Sequence, residues 1–307
     1  MKLLITGGLG NLGSWVTDTL VRTGHDVTTF AHRDRNVLRD LVFERRFGDI
    51  RELDDLTAVM HDQNWDAVIH LASVSESDSS LNSLLINALG TRNVLDALSK
   101  SSSLAHLIYF STFHVYGRSS GLIDENIADF QPRADYSTTH LFAEYYIRQF
   151  HYSNGIQFTT FRLTNGYGCP FEKTSTKWNL ALNDLARMAI QDKAIRLRSN
   201  GKGQRDLIWL GDVCDVILKT LVKGPANRAF NLGSGKAISM LELAETVETT
   251  YCETFGDGIP INVNELDTTQ EQGGLTVSID ALKNWISFSP NDRIREETRK
   301  IFELLSI

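Results

Sequence analysis

Hydrophobic positions fall along the first half of this chain in two alternating rhythms. Short apolar runs occupy 2–6 (KLLIT), 26–31 (DVTTFA), 67–71 (AVIHL), 105–111 (AHLIYFS) and 157–163 (QFTTFRL). Between them lie longer stretches, 11–23, 54–64, 82–100 and 137–151, in which apolar residues return every three or four positions. The runs predict buried strands and the stretches predict amphipathic helices. Gly24 marks the stop of the first helix. A further strand is expected to follow 45–48 and to end near Asp49. Strands that alternate with helices predict an α/β fold, with a parallel, doubly wound sheet and right-handed crossovers.

The second half is less regular. Helices are expected at 179–192, 212–222, 240–251 and about 291–305, and strands at 206–210 and 229–232. This divides the chain into a larger domain, 1–165 plus about 204–235, and a smaller α/β domain, about 166–203 and 236–307.

Composition narrows the function classes. Of 307 residues, 42% are hydrophobic and 22% charged, which is ordinary for a globular protein. The net charge of -7 and the lack of a basic stripe argue against nucleic-acid binding. Cys169, Cys214 and Cys252 are widely spaced and form no CxxC, so neither a disulfide framework nor a metal site is expected. A first strand starting at Lys2 leaves no room for a signal peptide, and no apolar run reaches the ~20 residues needed to span a bilayer. A cytoplasmic protein without a membrane partner is expected.

The most informative segment is Thr6-Gly7-Gly8-Leu9-Gly10-Asn11-Leu12-Gly13, between a strand and a helix. Gly7 permits the tight turn, Gly10 lets backbone approach a pyrophosphate, and Gly13 lets helix pack on sheet. The helix N-terminus then faces phosphate charge. The alternative is a tight turn without a ligand, but the strand–turn–helix context favours a dinucleotide, NADP or NAD. An NAD site usually carries an acidic residue at the end of the second strand. Here Ala31 stands there, followed by His32, Arg33 and Arg35. An Arg at that place accommodates a 2′-phosphate, which tips the reading towards NADP unless these residues form a solvated loop.

Once this motif is placed, the chain resembles the extended short-chain dehydrogenase/reductases, the group of nucleotide-sugar epimerases, dehydratases and reductases. The resemblance rests on nine segments in family order: TGGLGNLG at 6–13, GDI at 48–50, HLAS at 70–73, NALGTRNVLDA at 87–97, FSTFHVYG at 110–117, Tyr136 after Pro132, FRLTNGYG at 161–168, GQRDLIWLGDV at 203–213 and FNLGSG at 230–235. It implies a Rossmann-type sheet with a smaller C-terminal substrate-binding domain. It implies a cofactor site formed by Gly7, Gly10, Asn11, Leu12, Gly13, His32, Arg33, Asp49, Ile50, Leu71, Ala72, Asn87, Tyr136 and His140. Thr112 and Tyr136 fall on the catalytic Ser/Thr and Tyr of the family. Asn165, Asn179 and Arg205 fall where the family holds the diphosphate of a nucleotide sugar, a task that suits the forked, permanently charged guanidinium. The resemblance also implies a homodimer paired through the helices 82–100 and 137–151, where the apolar surface of Leu84, Leu85, Ala88, Leu95 and Leu98 either serves the pairing or, for most of it, faces the sheet.

The pattern breaks at one place. The family reads Tyr-x-x-x-Lys, and this chain reads Tyr136-Ser137-Thr138-Thr139-His140. Spacing i to i+4 keeps both side chains on one helix face. In the family the Lys bonds the nicotinamide ribose and lowers the Tyr pKa. His140 is then a working substitute, a mark of slow chemistry, or a mark of lost chemistry. After Thr112 the 4,6-dehydratases of the family place an Asp-Glu pair, but this chain has Phe113-His114, which speaks against dehydration. His114 is either a general acid or base or a polar residue lining the pocket.

Three functions follow as expectations. The first is an NAD(P)-dependent epimerase or keto-sugar reductase acting at a sugar carbon, C4 first. The second is a dinucleotide-binding protein with weak or no turnover. The third is a reductase of small ketones or aldehydes, against which Asn179 and Arg205 stand.

Overall fold

The computed structural model describes residues 1–61, 63–74, 79–101, 105–175, 177–267 and 274–306. The chain divides into two compact units, one comprising 1–117, 125–163 and 214–231, the other 118–124, 164–213 and 232–307.

The first unit is built on a seven-stranded sheet. Its strands are β1 (Lys2–Thr6), β2 (Asp26–Ala31), β3 (Glu44–Phe47), β4 (Ala67–His70), β5 (His106–Thr112), β6 (Phe158–Leu163) and β7 (Ala229–Leu232). They lie in the order β7-β6-β5-β4-β1-β2-β3. The pairs β2–β3, β1–β2, β1–β4, β4–β5 and β5–β6 are all parallel. The strand order reverses at β1, where the chain steps to β2 on one side and to β4 on the other. This is the doubly wound, Rossmann-type arrangement, and ligands of such sheets bind beyond the strand C-termini at that reversal. β4 and β5 are buried along their whole length, as parallel strands covered on both faces must be. Leu4, Phe30, Val68, Leu107 and Tyr109 from the sheet pack with Val94, Leu95, Leu98, Ala143, Ile147 and Phe150 from covering helices.

The helix expected at 82–100 is a composite. Ser80–Ser83 is α-helical, Leu84–Gly90 is a π-helix, and Thr91–Ser99 is α-helical again. The wider turn carries Asn87, whose side chain is held by residues outside the helix, as described below. The apolar surface expected of this helix is split by the fold. Ala88, Leu95 and Leu98 are buried in the unit's own core, whereas Leu84 is exposed. Leu81 and Leu89 are exposed near it, and Phe142, Tyr145 and Tyr146 on the helix Asp135–Asn154 are exposed as well.

The second unit has short strands and its own core. Asn165–Tyr167, Gln204–Trp209 and Ala237–Ser239 form one sheet, and Gly121–Ile123 pairs with Leu275–Val277 in another. Leu182, Leu185, Ala186, Leu243, Val247, Ile301 and Phe302 pack together from three helices, Ala181–Gln191, Met240–Phe255 and Ile294–Ser306. The strand Gln204–Trp209, read from sequence as part of the larger domain, belongs to this unit. It pairs with Asn165–Tyr167 and Ala237–Ser239 and not with the seven-stranded sheet.

Candidate active site

The turn after β1 is shaped by backbone meeting backbone. Gly7 has φ +70°, and a Cβ there would lie 2.8 Å from the backbone of Ala72. A Cβ on Gly13 would lie 2.1 Å from the Gly7 carbonyl oxygen. The helix Asn11–Arg22 starts from Gly10 with no side-chain cap and no acidic residue in its first turn. A bare helix N-terminus behind a turn with no room for side chains fits the pyrophosphate of a dinucleotide. Leu71 and Ala72 lie directly against this turn, with the Leu71 N–H donating to the Thr6 carbonyl at 3.1 Å.

Behind the turn is a buried polar chain. Thr6 Oγ1 lies 2.7 Å from His70 Nδ1, and His70 Nε2 lies 2.9 Å from Thr91 Oγ1. The Thr91 hydroxyl donates to the Asn87 carbonyl, so it accepts from His70 Nε2–H, and His70 Nδ1 accepts from Thr6. Burial pushes the His70 pKa down to about 3, which keeps the ring neutral.

At the end of β2, His32 is largely exposed and its Nδ1 is 3.7 Å from Asp49 Oδ2. The Asp49 carboxylate is held by Arg51, with Nε at 2.9 Å from both oxygens, and the Arg51 contact keeps its pKa below the usual carboxylate range. Asp34 gathers Arg39 and Arg45. Arg33 is exposed and makes no ion pair among the described residues. Ile50 is buried against Gly90 of the π-helix, where a Cβ would come within 3.0 Å of its side chain.

The helix Asp135–Asn154 is tied to β5 at two points one turn apart. Tyr109 Oη lies 2.7 Å from His140 Nδ1, and Ser111 Oγ donates to Glu144 Oε1 at 2.7 Å. Glu144 is also the partner of Arg162 on β6, in an ion pair with both side chains almost fully buried and N···O 2.7 Å. Arg162 donates in turn to Tyr116 Oη at 2.8 Å. These bonds fix the register between the helix bearing Tyr136 and the strand that ends at Thr112. Tyr136 is half-buried, with its ring edge-on to His140 at 4.7 Å between centroids. Thr112 is buried, and its Oγ1 accepts from the His114 N–H at 3.2 Å, opening a 3₁₀ turn over Phe113–Tyr116. Phe113 is buried and His114 is exposed.

His140 is 2% exposed, and burial pushes its pKa down to about 3, with the nearby His70 and His114 adding to the effect. The ring is therefore neutral at neutral pH and puts no positive charge beside Tyr136. Sequence reading missed both partners that hold this ring, Tyr109 and Ser73. It also missed Glu144, for which the continued i+4 spacing from Tyr136 and His140 was the available signal.

In the second unit, Asn165 and Arg205 lie on neighbouring strands. Asn165 pairs with Leu207 across a parallel ladder, and its Nδ2 donates to the Asp206 carbonyl at 3.0 Å. Arg205 is exposed, with one guanidinium N–H donated to the Gln204 carbonyl. Asp206, between Arg205 and Leu207, is buried and accepts from Thr164 and from the N–H groups of Ser234 and Gly235, which fixes the strand under Arg205. Asn179 is not part of this pair of strands. It lies exposed in a turn ahead of the helix Ala181–Gln191, because the helix starts two residues later than its sequence pattern suggests. Among the described residues, no group of three or more His, Cys, Asp or Glu side chains is placed to hold a metal ion, and no helix is long and apolar enough to cross a membrane.

This chain is similar in sequence and fold to several known proteins. CDP-paratose 2-epimerase of Salmonella typhi is 26% identical, covering 100% of this chain and 99% of its own. A dTDP-glucose 4,6-dehydratase of Streptomyces niveus is 28% identical over 80% of this chain and 76% of its own. The structure of UDP-N-acetylglucosamine 4-epimerase from Methanobrevibacter ruminantium M1, in complex with UDP-N-acetylmuramic acid, superposes with a TM-score of 0.84 at 20% identity. It covers 99% of this chain and 98% of its own, and at that identity it speaks for the fold alone. The family model of the NAD dependent epimerase/dehydratase family matches residues 3–233. Strand order, glycine turn and family match agree, and this chain belongs to the NAD dependent epimerase/dehydratase family of enzymes.

Proposed function

We propose that this protein epimerises a nucleoside-diphosphate sugar by hydride transfer at a sugar carbon, C4 in the first instance. The observation that carries the reading is the placement of Tyr136. It stands beside His140 on a helix locked to the strand ending at Thr112 by the Tyr109–His140 and Ser111–Glu144 bonds. A bound nicotinamide supplies the place where the hydride is held and returned. Tyr136 Oη takes the proton of the sugar hydroxyl and later gives it back. The Thr112 hydroxyl bonds the same sugar oxygen. Gly7, Gly10, Asn11, Leu12 and Gly13 seat the pyrophosphate, while Asp49 and Ile50 border the adenine. Arg205 and Asn165 hold the substrate diphosphate, with Asn179 as a weaker candidate given its exposed turn.

Dehydration is disfavoured, because buried Phe113 and exposed His114 replace an acidic pair after Thr112. Arg33 favours a second reading, net reduction of a keto sugar by NADPH. Its guanidinium is exposed and unpaired among the described residues, near the end of a strand with no acid at Ala31. The exposed Leu81, Leu84, Leu89, Phe142, Tyr145 and Tyr146 support pairing of two copies through these helices.

UDP-glucose deuterated at C4, given to the purified protein, tests the reading. Epimerisation with deuterium retained is expected. Absence of turnover on UDP-, dTDP- and CDP-sugars, or full turnover by Tyr136→Phe, would overturn it. Turnover that consumes NADPH and a 4-keto sugar would select the second reading.

A further inference from the structure

Both ring nitrogens of His140 are taken by protein groups. Nδ1 faces Tyr109 Oη at 2.7 Å, and Nε2 faces Ser73 Oγ at 3.1 Å. The direction of each bond follows from the neighbours of Ser73. Its hydroxyl lies 3.0 Å from the Asn87 side-chain oxygen and 3.0 Å from the Val74 carbonyl. Both of those oxygens only accept, so the single hydroxyl hydrogen of Ser73 is spent on them. The orientation of the Asn87 amide is fixed independently, since Oδ1 also accepts the Val74 N–H and Nδ2 donates to Thr139 Oγ1. Ser73 therefore accepts from His140 Nε2–H, and His140 Nδ1 accepts from Tyr109 O–H. The ring is a neutral Nε2–H tautomer clamped at both ends.

A hydroxyl oxygen has two lone pairs. His140 fills one on Ser73, and the other remains. Tyr109 and His140 are buried, whereas Ser73 is exposed, so Ser73 is where this chain of bonds reaches the surface. That surface is the C-terminal end of β4, one residue beyond Ala72, whose backbone abuts Gly7 of the glycine turn. Ligands of doubly wound sheets bind at this end of the strands.

We infer that Ser73 Oγ is the group this chain presents to the nicotinamide ribose, accepting a ribose hydroxyl, with His140 and Tyr109 as positioning residues behind it. The inference rests on the dinucleotide reading of the glycine turn. It reverses the polarity expected of a cation at position 140. The ribose hydroxyl donates and the protein accepts, and no charge is placed beside Tyr136.

Calorimetric titration of the full-length protein with NAD, ADP-ribose and ADP tests this. NAD and ADP-ribose carry the second ribose and ADP lacks it. Ser73→Ala is expected to weaken NAD and ADP-ribose by about three- to tenfold, the size of one hydrogen bond, and to leave ADP unchanged. Tyr109→Phe, which keeps the buried ring, is expected to do the same to a smaller degree. It is also expected to change the His140 imidazole ¹⁵N shifts from the single Nε2–H pattern expected of the parent. Equal weakening of ADP would mean that the substitutions only distort the glycine turn, and would overturn the inference. So would unchanged binding of all three by Ser73→Ala. If the parent protein binds none of the three, the dinucleotide reading itself falls and the inference with it.

Discussion

At the turn 7–13, backbone meets backbone, and at the helix Asp135–Asn154, side chain meets side chain. Both belong to the unit built on the seven-stranded sheet. In the turn, a single added methyl group on Gly13 would collide with the Gly7 carbonyl at 2.1 Å, so no side chain can be accommodated there without moving the helix. On the helix, a residue unlike the family Lys stands at His140, and the surroundings satisfy it completely through Tyr109 and Ser73. Close backbone approach leaves one residue type open, while a side-chain network allows replacement wherever neighbours can complete the hydrogen bonds. That difference can be attacked from either side.

The largest effect is expected from Gly13→Ala. Shifting packed backbone goes beyond the ~1–3 kcal/mol usual for overpacking, so dinucleotide binding should be lost and the melting temperature should drop sharply. Calorimetry with NAD and thermal denaturation check this. Normal binding by the variant would mean that the turn is looser than its contacts suggest. Next comes Arg162→Met on the side-chain half. It leaves the Glu144 carboxylate buried without its partner and should cost about 3–5 kcal/mol in urea denaturation. A loss well under that range would show that Glu144 is not needed as a charged group to hold the helix against β5.

A smaller effect concerns acid. Burial lowers the pKa of His70 and His140 to about 3 and of His106 to about 4. The unfolded chain binds protons on these rings below ~6.5, where the folded chain does not. Their contribution is complete above ~6.5 and is lost as pH falls towards the folded values, by up to about 1.4 kcal/mol per ring per pH unit. Stability measured at about pH 7.5 and about pH 5.5 should therefore differ, and His106→Gln, outside the proposed site, should flatten the dependence. The smallest expected change is for Arg205→Ala. It should weaken UDP binding by about tenfold, the worth of one charge-assisted bond, while leaving stability unchanged.

The sequence made most of the sheet legible, because β1, β2, β4, β5, β6 and β7 are largely apolar runs, whereas β3, Glu-Arg-Arg-Phe, is a charged and mostly exposed strand without that signal. β2 and β7 match their expected bounds residue for residue. The second unit was less legible. Asn165–Tyr167, Ala237–Ser239, Gly121–Ile123 and Leu275–Val277 are three residues each, too short for periodicity, and are defined by partners far away in the chain. The π-helix Leu84–Gly90 was invisible for a similar reason. It carries Asn87, whose side-chain contacts with Ser73, Val74 and Thr139 are none of them local. In the candidate site, Tyr136 and His140 could be paired from their i to i+4 spacing. Tyr109 could not be found, since it lies 31 residues from His140 and has no motif of its own. The neutral state of His140 likewise follows from its burial, which spacing alone does not reveal.

The central claim is that Tyr136 moves a proton while a nicotinamide dinucleotide in the same protein exchanges hydride with a nucleotide sugar. The most direct test is a single-turnover experiment with dinucleotide-loaded protein and a panel of UDP-, dTDP- and CDP-sugars, following nicotinamide absorbance. The parent protein should show a transient of reduced nicotinamide with at least one sugar. Tyr136→Phe should bind the same dinucleotide and slow that transient by about 10²–10⁴-fold. A transient of equal rate in both proteins, or none with any sugar in a parent protein that binds the dinucleotide, would contradict the account.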